Sequence, residues 1–545
     1  MKYLIKIIFT ALLGTSLILA CNKQSLSDLN INPQALPEIN LNFIFSSVEL
    51  GAAASGSSGD NRYIDWRTNI GFASMAIQQV ANAGGGIAPG DKYTDNVESS
   101  NAPFEHIYGD QLKNIGVILK QTNTGGFGAG QYKNMRQATR IIRAFLFARL
   151  TDYYGSIPYF EALQGEDGLF FPKYDKQKVV YMDLLKELDE ATKAFGPADA
   201  TDGFAGADMY YKGDIAKWKK WGYSLMLRMA MRLSNIDVAT ANTYVTKAVA
   251  GGVFSSNADN VIVPMATGPS QWVNQNGISR AFYPGDGGQP TFVSKTLIDK
   301  LKGTNQSSTA DDDPRLMIFT GGIGIWGATS GWTATNADPL QQKGMPNGYD
   351  LNQLKALEAN PNLDPDKTYS KINTKLLDLN DPYMLMNYGE VQLLLAEAAQ
   401  RGIGGLTAAA APTYYNEGVK ASMQMYTIYD PSLTVSDAQV TAYLATYPYV
   451  PANGEKMIGE QLWLTYYLNW WEAWSNWRRS TAKAGNSLGY PALTPTNYPG
   501  NVTGGTIPQR LKYASGDVAA NTNFAATSTK PDAYTTKVWW AGGPE

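Results

Sequence analysis

Aromatic faces stack on the C–H side of sugar rings, so the segment LWLTYYLNWWEAWSNWRRS at residues 462–480 is the first candidate for chemistry. Four tryptophans stand close together in it: Trp470, Trp471, Trp474 and Trp477. Trp463, Tyr467, Trp470, Trp474 and Trp477 fall at alternating steps of four and three, one stripe along an α-helix. Leu464, Leu468 and Trp471 repeat those steps on a neighbouring face. A helix apolar over so much of its girth is buried on several sides, so the segment is expected to be core and not a ligand platform.

Other chemistries are narrowed by what the chain lacks. A single histidine, His106, and a single cysteine, Cys21, leave no paired-histidine zinc site and no CxxC. His106 follows Pro103 closely and has no G-x-S-x-G serine to serve, so it is expected to be a hydrogen-bonded structural residue. Gly322, Gly324 and Gly327 in GGIGIWG spell G-x-G-x-x-G, but ATSGWTATN follows instead of a helix, and a dinucleotide fingerprint needs that helix. DDDPR at residues 311–315 lacks the alternating oxygen ligands and turn glycine of a calcium loop, and reads as a solvated turn before a strand. Among 48 acidic residues some pair always lies at glycosidase spacing, so carboxylates alone assign no hydrolysis. No catalytic, metal-binding or cofactor residue is assigned.

These residues must be positioned by helices. Helical periodicity covers residues 43–54, 72–83, 105–121, 131–154, 176–195, 215–234 and 239–250. It dissolves between about 252 and 380 into turn signals, glycine clusters and short strand-like runs such as VIVPM. It returns where Met384, Tyr388, Val391, Leu395 and Ala398 step by four and three, and continues through 414–427, 436–445 and 455–477. Residues 485–545 are expected to be a loop-rich tail. The predicted fold is mainly α: tetratricopeptide-like helix pairs (about 40–250 and 381–480) packed against an irregular, loop-rich subdomain with short strands (about 252–380).

The N-terminus reads as a secretory leader. Lys2 and Lys6 precede an apolar run that is too short for a membrane span and ends in LILAC at Cys21. Residues 1–20 are expected to be removed and Cys21 lipidated, which anchors residues 21–545 to a membrane through acyl chains. The formal net charge of −3 argues against nucleic acid as a partner.

Several stretches together resemble one family. ARLTDYYGSIPYFEA (148–162), YMLMNYGEVQLLLAEAAQRG (383–402), TYYNEGVKASM (413–423), GEKMIGEQLWLTYYLNWWEAWSNWRRS (454–480), IPQRLKY (507–513) and the late VWW (538–540) are similar, in this order, to SusD/RagB-type outer-membrane lipoproteins of the Bacteroidetes, in particular the SusD-like branch. The resemblance implies four tetratricopeptide-like helix pairs and a lid on a TonB-dependent channel that captures oligosaccharides without cleaving them. Some relatives take peptides or another nutrient instead. It also makes the 462–480 segment scaffold, with Glu472, Arg478 and Arg479 as an ion-paired helix end. A lipid-anchored glycoside hydrolase is the remaining alternative. Surface-exposed relatives commonly carry acids just after the lipid cysteine, whereas CNKQSLSD has none before Asp28. Outer-membrane location facing the cell surface is expected nonetheless.

Family glycan sites lie on loops. The matching loop, DKYTDNVESSNAPF, offers Tyr93, Asn96, Asn101 and Phe104. The irregular middle offers Trp272, Asn274, Gln275, Tyr283, Trp326 and Trp332. Sugar recognition needs a flat aromatic face together with amide or charged groups for hydroxyls, and QWVNQN at 271–276 has both.

Overall fold

The computed structural model describes residues 40–53, 63–84, 90–268, 274–282, 292–326, 332–496 and 498–545, without the side chains of Glu166 and Trp326. Cys21 and the leader lie outside them. Met1–Leu41 and Asn42–Glu545 form separate compact units, and the second holds everything described below.

Helices dominate. In chain order they are α1 (Leu41–Gly51), α2 (Val97–His106), α3 (Lys113–Gln121), α4 (Lys133–Tyr154), α5 (Gln177–Ala194), α6 (Ile215–Arg232), α7 (Val238–Gly251), α8 (Lys295–Leu301), α9 (Leu351–Leu357), α10 (Tyr388–Gln400), α11 (Ala411–Gln424), α12 (Asp437–Thr446), α13 (Gly454–Thr465) and α14 (Trp470–Thr481). Their ends are set by short side chains. Asp214 accepts from the amides of Ala216 and Lys217 at the start of α6, Asp237 from Thr240 at α7, and Asn387 from Glu390 at α10. α4 stops at Gly155, whose φ of +83° suits glycine and whose missing Cβ leaves room for Thr529 Oγ1. Consecutive helices pack as pairs, α4 with α5, α6 with α7 and α10 with α11, while α10 also meets α6 and α13.

Five short strands build one sheet in the order β1 (Val80–Ala81), β5 (Phe292–Val293), β8 (Ser370–Ile372), β6 (Thr320–Trp326), β7 (Trp332–Asn336). All its pairings are antiparallel. Two further pairs, β2 (Ile157–Pro158) with β3 (Tyr174–Asp175) and β4 (Val261–Val263) with β9 (Tyr383–Met386), pin loops to the helices.

The interior of the helical layer is highly charged for a core. Arg228 forms a two-pronged pair with Glu390 (2.5 and 2.7 Å). Arg479 grips both oxygens of Glu397 at 2.6 Å, and Arg401 adds a third contact at 2.9 Å. Arg232 bonds Glu472, and Arg149 lies 3.7 Å from the Trp471 ring centre. Paired with opposite charges or laid over rings, such charges are tolerated where a lone one is not.

Five sequence readings change here. The 462–480 stripe is two helices, because the chain leaves helical geometry between Tyr466 and Asn469, with Leu468 at φ +76°. It is core all the same: Trp463, Trp470 and Trp474 are at most 1% exposed. Glu472 pairs with Arg232, and not with its own helix end; Arg479 pairs with Glu397, and Arg478 donates to the carbonyls of Asp152 and Gln509 while lying over Trp474. Residues 72–83 are the end of a π-helix (Asp65–Ser74) followed by a turn and β1. The 311–315 turn is not wholly solvated: Arg315 is fully buried, paired with Asp313 at 2.6 Å and bonded to Ser422 and Gln461, and a helical turn (Leu316–Phe319) separates it from β6. Met384, placed in a helix by periodicity, lies in β9.

Candidate functional site

A cleft of about 530 Å³ opens at the β1 edge of the sheet. It gathers five segments: Gln78 just before β1, the exposed side of α8, the loop carrying Asn347 and Tyr349, the start of α9 at Gln353, and Thr494 to Tyr498. Nothing local brings them together; long-range hydrogen bonds do. Ser294 N donates to Gln79 O (3.0 Å), and Asn347 Nδ2 to Val80 O (2.7 Å). Gln78 Nε2 reaches Thr494 O (2.5 Å), while Gln78 Oε1 accepts from Thr296 Oγ1 (3.0 Å).

Asp91 is the knot beneath the floor. It is fully buried, accepts Gly348 N at 2.9 Å and Lys92 Nζ at 3.1 Å, and its backbone carbonyl accepts Thr496 Oγ1 at 3.2 Å. Burial pushes its carboxyl above the usual range, against the pull of Lys92 and the Gly348 amide. Gly348 has φ +82°, and a Cβ there would meet Thr496 at 2.6 Å, so only glycine lets these two loops close.

With the floor's polar groups already engaged, the open features are two half-buried rings, Tyr349 and Tyr498, and the exposed Lys295–Asp299 pair. Lys92 Nζ lies 5.7 Å from the Tyr498 ring centre and steadies it from behind. Rings flanked by hydroxyl, amide and charged groups suit reversible binding of a polar ligand with apolar faces. The larger concentration of charge, around Arg149, Asp152, Arg232 and Glu472, encloses only about 20 Å³, room for about one water. That cavity belongs to the scaffold.

The residues named from sequence scatter. Trp272 and Tyr283 lie outside the described residues, as does the side chain of Trp326, whose backbone ends β6. Trp332 is 7% exposed: its Nε1 donates to Ile372 O (2.8 Å), and its ring covers Gly324, where a Cβ would approach it to 2.5 Å. Gly321, Gly322 and Gly324 thus serve a close-packed hairpin. Tyr93 is 1% exposed, behind the cleft, with its carbonyl held by Val502 N. Asn96 caps α2 by accepting from Ser99 N (2.9 Å), and Asn101 exchanges two 3.0 Å bonds with Ser515. Asn274 holds Ala266 N through its carbonyl (2.7 Å), and Gln275 is buried with Nε2 3.4 Å from Thr267 O. Phe104 packs against Tyr154. Among the described residues, Tyr93 follows directly on the Asp91–Lys92 pair beneath the cleft; Trp332 begins β7, at the opposite edge of the five-stranded sheet and about 19 Å from β1 at strand spacing, and the Trp326 backbone lies in β6, one strand nearer. Tyr349 and Tyr498 were missed, although PNGYD and TNYPG carry the same signal, an aromatic beside amide or charged groups, that singled out QWVNQN.

Comparison with known proteins follows the same outline. A SusD-like family model, described as starch-binding and associating with the outer membrane, matches residues 42–514. A solved chitin-binding protein is 29% identical, with TM-score 0.74 over 92% of this chain and 99% of its own. A Bacteroidetes SusD-like structure matches at 24% identity and TM-score 0.75, over 92% and 100% of the two chains. A chitin-binding SusD homologue from Flavobacterium johnsoniae matches at 20% identity and TM-score 0.69, over 92% and 99%. Among curated proteins no sequence matches the chain.

Proposed function

The chain belongs to the SusD/RagB family, in its SusD-like group, and we propose that it captures neutral oligosaccharides of the chitin type in the β1-edge cleft and passes them uncleaved to a TonB-dependent channel. The observation that carries this reading is the pair of half-exposed tyrosines, Tyr349 and Tyr498, over a floor whose amides and carboxylate are already tied together. A site so preorganised spends little of its binding energy on ordering itself, yet an exposed polar ligand recovers little hydrophobic energy, so micromolar or weaker affinity is expected. The 29% identity to a chitin-binding protein supports N-acetylglucosamine oligomers as the first ligands to try. Trp272, Tyr283 and Trp326 extend the proposal as further stacking residues. Lipidation at Cys21 would hold the protein on the outer membrane, where such a channel is met; among the described residues no helix is long and apolar enough to cross a membrane.

The test is a glycan array and calorimetry on a soluble form starting after Cys21, with bound sugar recovered and sized. Selective binding with the oligosaccharide returned intact is the expected result. Shortened sugar overturns the non-catalytic reading in favour of a hydrolase, and silence across a broad array favours peptides or another nutrient.

A further inference from the structure

The cleft at the β1 edge does not end at α8. Asp299 lines it and also lines a second depression, of about 230 Å³, on the other side of that helix, whose walls include Lys300, Tyr415, Tyr443, Tyr447 and Glu460. This in turn shares Asp311, Asp313, Tyr443 and Tyr447 with a third, of about 370 Å³. The three depressions thus adjoin one another through shared wall residues, the first two at Asp299 on α8, a helix of seven residues and only about 10 Å.

The far end has the same construction as the near one. Tyr447 OH donates to the carbonyl (3.1 Å) and carboxylate (3.2 Å) of Asp311, and Tyr443 OH accepts from Gln461 Nε2 (2.9 Å). Their ring centres are 5.1 Å apart with planes at 47°, and both rings stay half-exposed. Gly303, at φ +65°, admits Tyr447 OH and Asp311 O to 2.5 Å of where a Cβ would stand, so the tyrosine is held in place by a contact only glycine permits. Along the connecting ridge Lys295 pairs with Asp299, and Lys300 with Glu460 at 2.6 Å. Both lysines along α8 are thereby neutralised, which disfavours uronates and sulfated glycans and suits a neutral chain whose hydroxyls can meet either partner of each pair.

We infer that Tyr443 and Tyr447 form a second sugar-binding subsite, joined to the Tyr349–Tyr498 cleft across α8, so that a neutral oligosaccharide long enough to span both is held at two points. The inference rests on the glycan reading of the first cleft. Two weak sites engaged by one chain act at high effective concentration, so affinity rises with length without any new contact type.

Titration with chitobiose and chitohexaose tests it. The expected result is hexaose binding tenfold or more tighter than biose, with Tyr443→Ala and Tyr447→Ala lowering hexaose affinity to the biose level while biose binding at the Tyr349–Tyr498 cleft is retained. Hydrogen exchange on the unmutated protein gives an answer independent of how the variants fold: hexaose, but not biose, is expected to protect the amides of α12. Biose and hexaose binding alike, or no added protection of α12, overturns the second subsite and leaves the first cleft standing. Failure of both sugars to bind overturns the glycan reading and the inference with it.

Discussion

The helices around Trp470 and Trp474 and the cleft around Tyr349 and Tyr498 are built from similar materials, aromatic rings beside charged and amide groups. They differ in what is left over. In the first, each ring is enclosed, and Arg478 and Arg479 end on carbonyls or carboxylates. In the second, the polar floor is bonded to itself and the rings keep a face to solvent. Density of aromatics therefore marks where this fold is cemented, and incompletely covered rings mark where it can bind. The distinction predicts that the two regions respond oppositely to substitution.

The largest effect belongs to the enclosed region. Arg479→Ala leaves the buried Glu397 carboxylate with Arg401 as its one cationic partner and is expected to cost about 3–5 kcal/mol of stability in urea unfolding. Trp474→Ala, leaving a cavity beneath Tyr153 and Phe72, should cost about 3–5 kcal/mol as well. A loss below 1 kcal/mol in both would break the comparison.

Acid sharpens it next. Burial alone would raise the Glu397 carboxyl, but Arg479 and Arg401 overrule it and hold the group at about 2, below its usual 4.5. A depressed folded pKa contributes stability that is present above 4.5 and lost as pH falls through about 2. Unfolding midpoints measured between pH 5 and pH 2 should fall by the equivalent of about 2–3 kcal/mol, and Glu397→Gln should flatten that part of the profile.

Asp65 works in the other direction. Burial pushes it up to about 8, against hydrogen bonds from Tyr383 and Asn69. Its contribution is complete below the unfolded value of 3.8 and drains away as pH rises through about 8. Asp65→Asn is expected to lose that decline, so variant and wild-type stabilities converge at acid pH and separate in favour of the variant by pH 8 to 9. Parallel profiles would mean that the carboxyl is ionised in the fold.

The smallest change in stability, and the one with consequences for binding, is in the cleft. Tyr498→Ala should leave stability within about 0.5 kcal/mol, and Tyr349→Ala, which also loses packing on the core cluster that includes Phe292 and Leu354, should cost about 1 kcal/mol, while each weakens oligosaccharide binding about tenfold. Equal binding by wild type and both variants would remove the cleft from consideration and return weight to Trp272, Tyr283 and Trp326.

Sequence periodicity located α4, α5, α6 and α7 to within two residues at each end, because each is an unbroken amphipathic run, ended at Gly155 in α4 and started by an aspartate cap in α6 and α7. It ran through the break at Leu468, since rings at four-three spacing keep their order along the chain even when the backbone between them turns. The π-helix escaped for a related reason: its apolar residues, Ile70 and Phe72 among them, fit an ordinary helix as well. The family was legible in motif order. The cleft was not, because its walls are 405 and 416 residues apart where Thr496 meets Asp91 and Thr494 meets Gln78. Burial decided the rest: Tyr93 and Trp332 stand in loop and hairpin sequence yet point inward, a matter of tertiary contact on which composition is silent.

Trp540 adds a consequence in time. Its indole donates to Asp152 Oδ1 at 2.8 Å across 388 residues of chain, and Arg478 lies over its ring. Until that tryptophan has been synthesised, the carboxylate in α4 and the guanidinium in α14 lack part of their cover. The helical layer is thus sealed by a segment made 388 residues after Asp152, which favours a nascent chain that stays loosely packed, and so open to chaperones, until Trp540 has left the ribosome.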